Sequence, residues 1–182
     1  MLAQFTKALR IGAALATSVF CLSLHLAAQQ PGASNAQHEA MQKLAFLAGH
    51  WSGPVTIVRG PGEPLKLTQT ENVQFKLDGL VLLIEGQSAD QDGKASFSAL
   101  ATIAFDEATH TYRMRAYHDG HYVDTEFVPT ANGFSWSFDS GPAHVVNTMH
   151  LTGEGKWSET TDVTFGTNPP MHSVDMLLTH QP

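Results

Sequence analysis

The stretch Thr111–Val128, TYRMRAYHDGHYVDTEFV, constrains the fold most, because it has the pattern of a β-hairpin with a two-residue turn. Asp119-Gly120 suits a type I′ turn, in which both central residues take positive φ and glycine does so at little cost. A two-residue turn fixes which residues face each other across the strands. The predicted pairs are His118 with His121, Tyr117 with Tyr122, Ala116 with Val123, Arg115 with Asp124, Met114 with Thr125 and Arg113 with Glu126.

Alternation of side chains between the two faces of a sheet divides this hairpin into two rows. The mostly apolar row predicts the inner face: Tyr112, Met114, Ala116, His118, His121, Val123, Thr125 and Phe127. The other row carries two opposite-charge cross-strand pairs and predicts a solvated outer face: Arg113, Arg115, Tyr117, Tyr122, Asp124 and Glu126. A slip of one residue would break both charge pairs and expose the apolar row, so the register is well specified.

The chain from His50 onward continues in short alternating segments separated by Gly, Pro and Asp-Gly turns. A second turn signal at Asp78-Gly79 pairs the strand before it with the strand after it. The pairs are Leu77 with Leu80, Phe75 with Leu82, Val73 with Ile84, and Glu71 with Gly86. Ten such strands with short links predict a mainly β protein, a single up-and-down antiparallel β-barrel, since closure removes exposed sheet edges.

The N-terminal region predicts export. Residues 1–28 have the pattern of a signal peptide, with Lys7 and Arg10 before the apolar run Ile11–Leu26 and small residues at Ala27-Ala28. That run is short for a membrane span, which needs about 20 residues, so we expect no stable membrane span after cleavage. Residues 29–35 read as a mobile leader and 36–182 as the barrel domain, beginning with a short amphipathic helix at Ala36–Leu47 across one barrel end. The expected location is periplasmic or secreted.

Charge and cysteine content exclude several classes of function. Without Lys7 and Arg10, eight of the 10 basic residues remain against 17 acidic ones, and this balance argues against nucleic-acid binding, which needs a basic face. The single cysteine, Cys21, lies in the predicted signal peptide. The mature chain would therefore have no disulfide, thiolate metal site or cysteine nucleophile. Motifs for a phosphate-binding loop, a G-x-S-x-G elbow or an HExxH zinc site are missing from the sequence.

Two features of the inner rows are candidate sites. His118 and His121 are directly opposed and could bind zinc or copper with a third ligand, or act as an acid/base pair; two imidazoles beside an exposed turn are the alternative. Glu71 is a carboxylate on an apolar row, where burial would raise its pKa and make it an acid, a base or a ligand anchor. The alternative is a strand bulge or a wet position at the barrel mouth. No residue is assigned as catalytic.

Aromatic and apolar residues of the inner rows fit both a packed core and a ligand cavity, since a ten-stranded barrel is wider than side chains readily fill. The predicted ligand-binding residues are Glu71, Phe75, Tyr112, Met114, His118, His121, Phe127 and Trp136. Val81 and Leu83 are apolar on the outer face, so they are expected under the helix or in a homodimer contact.

Three segments carry a family resemblance: Leu44–Gly53 (LAFLAGHWSG), the Asp-Gly hairpin after it, and Phe105–Gly120 within AFDEATHTYRMRAYHDG. They resemble a family of bacterial secreted proteins of unknown function, for which a calycin or lipocalin-like barrel, similar to fatty-acid-binding proteins, is expected. Nitrobindins, which bind haem through a histidine near the C terminus, share this barrel type. His180 lies near the C terminus here, but its flanking residues do not match and the proline- and tyrosine-rich segment is absent.

The sequence therefore predicts an exported barrel that binds a small hydrophobic or amphipathic molecule in its interior, without assigning a cofactor. Two alternatives remain open. One is a haem- or metal-binding barrel that uses histidines, and the other is a barrel enzyme with an interior Glu/His pair.

Overall fold

The structure of the protein is a computed structural model that describes residues 35–182. The predicted signal peptide lies outside the described residues, as does the predicted leader up to residue 34. Asn35, assigned to the leader from the sequence, is the first residue of a helix.

One α-helix and ten strands are the main elements of the described part of the chain. Helix α1 spans Asn35–Gln42. The strands are β1 Gly49–Ile57, β2 Leu65–Lys76, β3 Val81–Ala89, β4 Ala95–Asp106, β5 Thr111–His118, β6 His121–Pro129, β7 Gly133–Ser140, β8 Ala143–Leu151, β9 Trp157–Phe165 and β10 Met171–Gln181. Within residues 35–182, no helix is both long and apolar enough to cross a membrane.

The strands form a closed antiparallel barrel in which each strand pairs with its neighbours in the chain, and β1 pairs with β10. The closing ladder joins His50 to Gln181, Trp51 to His180 and Val55 to Met176. It skips Gly53 and Pro54, and a proline has no N–H to contribute to a ladder. The predicted fold class, a mainly β up-and-down barrel with a short N-terminal helix, is confirmed.

The hairpin of β5 and β6 has the predicted register at all six pairs, from Arg113–Glu126 to His118–His121. Asp119 and Gly120 have φ values of 48° and 74°, as a type I′ turn requires. Arg115 Nε and Nη2 donate to the two carboxylate oxygens of Asp124 at 2.6 and 2.8 Å. Arg113 and Glu126 face each other without closing an ion pair in the described structure, so one of the two predicted charge pairs forms.

The hairpin of β2 and β3 has the predicted pairs Phe75–Leu82, Val73–Ile84 and Glu71–Gly86. The predicted pair Leu77–Leu80 is wrong, because the ladder ends at Lys76–Val81. The intervening four residues form a tight loop in which Leu80 N–H donates to Leu77 O at 3.2 Å. Leu77 and Asp78 both have positive φ there, so the chain leaves the sheet one residue earlier than a two-residue turn would.

Helix α1 lies across one end of the barrel, as predicted. Gln37 Nε2 donates to Phe105 O at 3.2 Å, and the Tyr112 hydroxyl donates to Ala40 O at 2.7 Å. The single helix predicted to Leu47 is wrong, because the backbone tightens after Gln42 into bonds of the i to i+3 type and a short 3-10 helix follows at Ala45–Leu47. Trp51 Nε1 then donates to Leu47 O at 2.8 Å, which ties this segment to β1.

The main hydrophobic core is continuous with this helical segment. Its members include Met41, Leu44, Leu47, Trp51, Val73, Leu82, Ile103, Phe127, Phe134, Met149, Trp157 and Leu178. Trp157 contacts Trp51 and Phe134 edge-on, with 5.7 Å between ring centroids in each pair. The core thus fills the barrel towards α1, and the space beyond it lies towards the opposite end.

Two adjacent leucines of β10 test whether successive side chains of a strand alternate between the inside and the outside of the barrel. Leu178 is fully buried, whereas Leu177 is 41% exposed. We expect Leu178→Ala to lower the free energy of unfolding by about 2–5 kcal/mol through lost burial and a residual cavity. The same change at Leu177 should cost less than about 1 kcal/mol. Urea unfolding followed by tryptophan fluorescence measures both, and equal losses would contradict the alternation.

Candidate functional site

The barrel contains a cavity of about 730 Å³ in the half away from α1. Val55, Ala116, Val123, Phe138 and Val145 are among the apolar residues that line its walls. Residues of the turn regions opposite the helix, such as Asp119 and Ser140, lie around its mouth. The volume falls within the range of about 300–1,000 Å³ that is typical of small-molecule sites.

Six of the eight residues predicted from the sequence to bind ligand line this cavity: Glu71, Met114, His118, His121, Phe127 and Trp136. The other two, Phe75 and Tyr112, pack against the hydrophobic core instead. They occupy inward positions of β2 and β5 that lie nearer to α1, and the hydroxyl of Tyr112 bonds to that helix. Alternation thus places all eight on inward rows, but position along the strand decides which of them reach the cavity.

The two histidines of the β5–β6 hairpin lie at the cavity mouth and are exposed. His118 Nδ1 lies 2.9 Å from Ser98 O, and its ring centroid is 4.4 Å from that of Phe97. Among residues 35–182, no group of three or more His, Cys, Asp or Glu side chains is placed to hold a metal ion. The pair therefore lacks the third ligand that the metal hypothesis requires in the described part of the chain.

Glu71 lies inside the barrel on β2, opposite Gly86 of β3. The glycine leaves the space that the carboxyl group occupies, since a Cβ at position 86 would lie 2.8 Å from both carboxylate oxygens. Gln69 Nε2 donates to Glu71 Oε1 at 2.6 Å, and Gln69 Oε1 accepts a bond from the Ser88 hydroxyl. This chain of side chains holds one oxygen of Glu71, and the other accepts no hydrogen bond in the described structure.

The pKa of Glu71 is raised to about 8, chiefly by burial; the hydrogen bond from Gln69 lowers it in part, and the nearby charge of Glu159 adds a smaller increase. A buried carboxyl favours its neutral form because the protein interior solvates a charge poorly. Glu71 is therefore largely protonated at neutral pH and can both donate and accept hydrogen bonds.

A second carboxyl, Glu159 on β9, lines the same cavity and was missed from the sequence. Trp157 Nε1 donates to its Oε2 at 2.8 Å, and burial raises its pKa to about 7. The sequence does contain a signal for this inward position. Trp157, Glu159 and Thr161 alternate along β9, so the inward position of the large tryptophan predicts the same face for the other two. The charge of Glu159 contributes a small part of the raised pKa of Glu71, although β2 and β9 are far apart in the chain.

Asn147 on β8 completes the polar lining of the cavity. The residue is 6% exposed, and its Oδ1 accepts a bond of 2.7 Å from the Thr161 hydroxyl. Its Nδ2 is the one buried side-chain nitrogen or oxygen without a hydrogen-bond partner in the described structure. An unpaired buried donor costs about 1–3 kcal/mol, so this nitrogen can donate to an acceptor that enters the cavity.

The cavity has an acidic character. None of the described residues that line it is a lysine or an arginine. Glu71 and Glu159 lie within it, and Asp119 and Asp139 lie at its mouth beside the two histidines. An anionic group would therefore meet carboxyl groups with no lysine or arginine among the described lining residues to balance its charge, which disfavours a clamp of the kind used for fatty-acid carboxylates.

His180, the residue considered from the resemblance to nitrobindins, does not line the cavity. It lies near the helix end of β10, where its ring meets Trp51 edge-on with 4.8 Å between centroids. Gly49 leaves the space for the imidazole, because a side chain at that position would collide with His180 Nε2. The position of His180 therefore does not fit a haem ligand within the cavity.

The fold and the site together define a closed ten-stranded antiparallel barrel with an apolar cavity and interior carboxyl groups. The chain belongs to the family described as protein of unknown function, DUF1579, whose model matches residues 33–130. The barrel is similar to the crystal structure of Rv2717c from M. tuberculosis, with a TM-score of 0.61 and 13% sequence identity over 79% of this chain and 98% of that one. At this identity the likeness concerns the fold. A search of curated proteins found no match.

The raised pKa of Glu71 predicts a pH-dependent stability. The folded protein keeps this proton between about pH 4.5 and 8, where the unfolded chain has lost it, so the residue destabilises the fold increasingly as pH rises through that window. Glu71→Gln removes the penalty and keeps the acceptor for Gln69. We expect the stability of the variant relative to wild type to increase by about 1–3 kcal/mol from pH 5 to pH 8.

Urea unfolding at the two pH values measures this difference. Glu126→Gln, on the exposed outer face of β6, is the matched control for removal of a carboxylate. A difference between Glu71→Gln and wild type that stays constant from pH 5 to pH 8 would show that Glu71 is hydrated in the folded state.

Proposed function

We propose that this protein is an exported barrel that binds a small hydrophobic or amphipathic molecule in its interior cavity. The observation that carries the proposal is the cavity of about 730 Å³, which has mainly apolar walls and a few convergent polar groups. This combination is the usual composition of a small-molecule site, in which apolar surface supplies affinity and a few polar groups set orientation.

The aromatic residues of β7 support the proposal. Trp136 and Phe138 both line the cavity and stack on each other, with 5.4 Å between centroids and 15° between ring planes. The two rings add a large apolar area to the cavity wall, and burial of that area against a hydrocarbon would be favourable. At about 25 cal/mol for each Å² of apolar surface removed from water, a molecule that covers this wall gains several kcal/mol before the costs of association.

The lipocalin-like character belongs to the same proposal, because an up-and-down barrel with an interior cavity is the architecture that lipocalins use to hold small molecules. Export rests on the N-terminal pattern of Lys7, Arg10 and the apolar run Ile11–Leu26. A periplasmic or secreted location would suit a carrier of poorly soluble molecules. The alternative in which His118 and His121 hold a metal has less support, since it requires a ligand from outside the described residues.

A substitution that fills the cavity tests whether binding takes place inside the barrel. Ala116 on β5 lines the cavity, so Ala116→Phe should place a ring in the space that a ligand would occupy. We expect it to weaken binding of the neutral fluorophore N-phenyl-1-naphthylamine at least tenfold, measured by fluorescence titration.

The control is Thr102→Phe on the neighbouring strand β4, which adds a ring to the opposite face. It should leave the affinity for the fluorophore within about threefold of wild type. Equal effects of the two variants, with folding verified by circular dichroism, would place the bound fluorophore outside the cavity.

A further inference from the structure

The interior carboxyls and the unpaired amide narrow the chemistry of the ligand, provided that the cavity is a binding site as proposed above. Glu71 and Glu159 lie among apolar side chains, and neither has a cationic partner in the described structure. Burying two acids without a partner is costly, and neutralising them by protonation is one way to limit that cost. A bound cation is another way to limit that cost. If the carboxyls are offset in this way, the cavity prefers a positively charged ligand.

Each carboxyl has one oxygen held by the protein and one directed at the cavity. Gln69 binds Glu71 Oε1, and Trp157 binds Glu159 Oε2. The remaining oxygens have no donor among the described residues, and neither is a buried unsatisfied atom, so both are accessible from the cavity. Both carboxyls line the same cavity, so a single ligand within it can meet both.

The cavity is built around this pair. Gly86 provides room for the Glu71 carboxyl. The Ser88 hydroxyl donates to Gln69, and Gln69 in turn donates to Glu71 and holds the carboxyl in place. On β8, the strand next to that of Glu159, Asn147 contributes a buried Nδ2 that has no acceptor in the described structure. An oxygen of the ligand could accept this bond. The stacked rings of Trp136 and Phe138 supply the apolar wall, and aromatic faces also attract cations.

We propose that the cavity binds an amphipathic primary amine, whose ammonium group contacts Glu71 and Glu159 while its hydrocarbon part lies against the apolar wall. An ammonium group offers three donors and no acceptor, which matches two carboxyls that have free acceptor oxygens. Its positive charge offsets the desolvated negative charges, so bonds of this kind are stronger than those between neutral groups. A fatty acid of the same length presents the wrong charge, and an alcohol presents a single neutral donor.

Three ligands that differ in their polar group test this preference. Decylamine, decan-1-ol and decanoate are titrated against the full mature chain at pH 8, with displacement of N-phenyl-1-naphthylamine as the readout. Decylamine is protonated at this pH, as a lysine side chain is. We expect decylamine to bind at least tenfold more tightly than decan-1-ol, and decanoate to bind more weakly than both.

Substitutions of the same shape test whether the preference for the amine over the alcohol depends on the two carboxyls. In Glu71→Gln and in Glu159→Gln, the ratio of amine affinity to alcohol affinity should fall at least fivefold, because each keeps the shape of the side chain and removes its charge. Glu126→Gln, on the outer face of β6, should keep the wild-type ratio. A ratio that falls equally in all three variants would indicate general electrostatic attraction and would overturn the assignment to the cavity.

The outcomes separate this inference from the proposed function. Equal affinity for the three compounds, or preference for decanoate, would overturn the amine assignment and leave the apolar binding site intact. Failure of all three, and of the fluorophore, to bind would overturn both. A wild-type preference for decylamine that is lost in both cavity variants would establish the amine as the chemical class of ligand.

Discussion

Closure of the sheet by the pairing of β1 with β10 is the constraint on which the rest of the structure depends. It satisfies the backbone groups that the two terminal strands would otherwise expose, and it encloses the inward rows of all ten strands. Helix α1 covers one end, where the tyrosine hydroxyl of β5 holds it, and the largest side chains of the core pack beneath it. The other end has less side-chain volume, which leaves the cavity.

Enclosure within the barrel also explains the raised pKa values of the two interior carboxyls. On an open sheet, Glu71 and Glu159 would be hydrated carboxylates with ordinary pKa values. Inside the barrel they are held by neutral donors, a glutamine amide and an indole, which orient them without neutralising their charge. The glycine opposite Glu71 indicates that the backbone is adapted to the carboxyl group. Among the described residues, the cavity lining is therefore acidic and contains no lysine or arginine.

Much of this arrangement follows from local sequence patterns, because strand alternation and turn chemistry act over a few residues. Asp119-Gly120 fixed the register of β5 and β6, and the inward position of Glu71 followed from its place in an apolar row. The loop at Leu77–Leu80 was mispredicted, since an Asp-Gly pair is compatible with more than one turn. The depth of each inward residue, and hence the exclusion of Phe75 and Tyr112 from the cavity, depends on how far α1 and the core fill the barrel.

The effect of Glu159 on the pKa of Glu71 could not be predicted from local patterns, because it depends on barrel closure, which leaves only β1 and β10 between β2 and β9. The central claim is that the barrel interior buries both carboxyls and thereby raises the pKa of each. Carbon-13 NMR titration of the glutamate side-chain carboxyls measures it directly, with Glu71→Gln and Glu159→Gln used to assign the two signals. We expect midpoints near pH 8 for Glu71 and near pH 7 for Glu159. Midpoints for both near the ordinary value of 4.5 would show that water hydrates the carboxyls and would contradict the account.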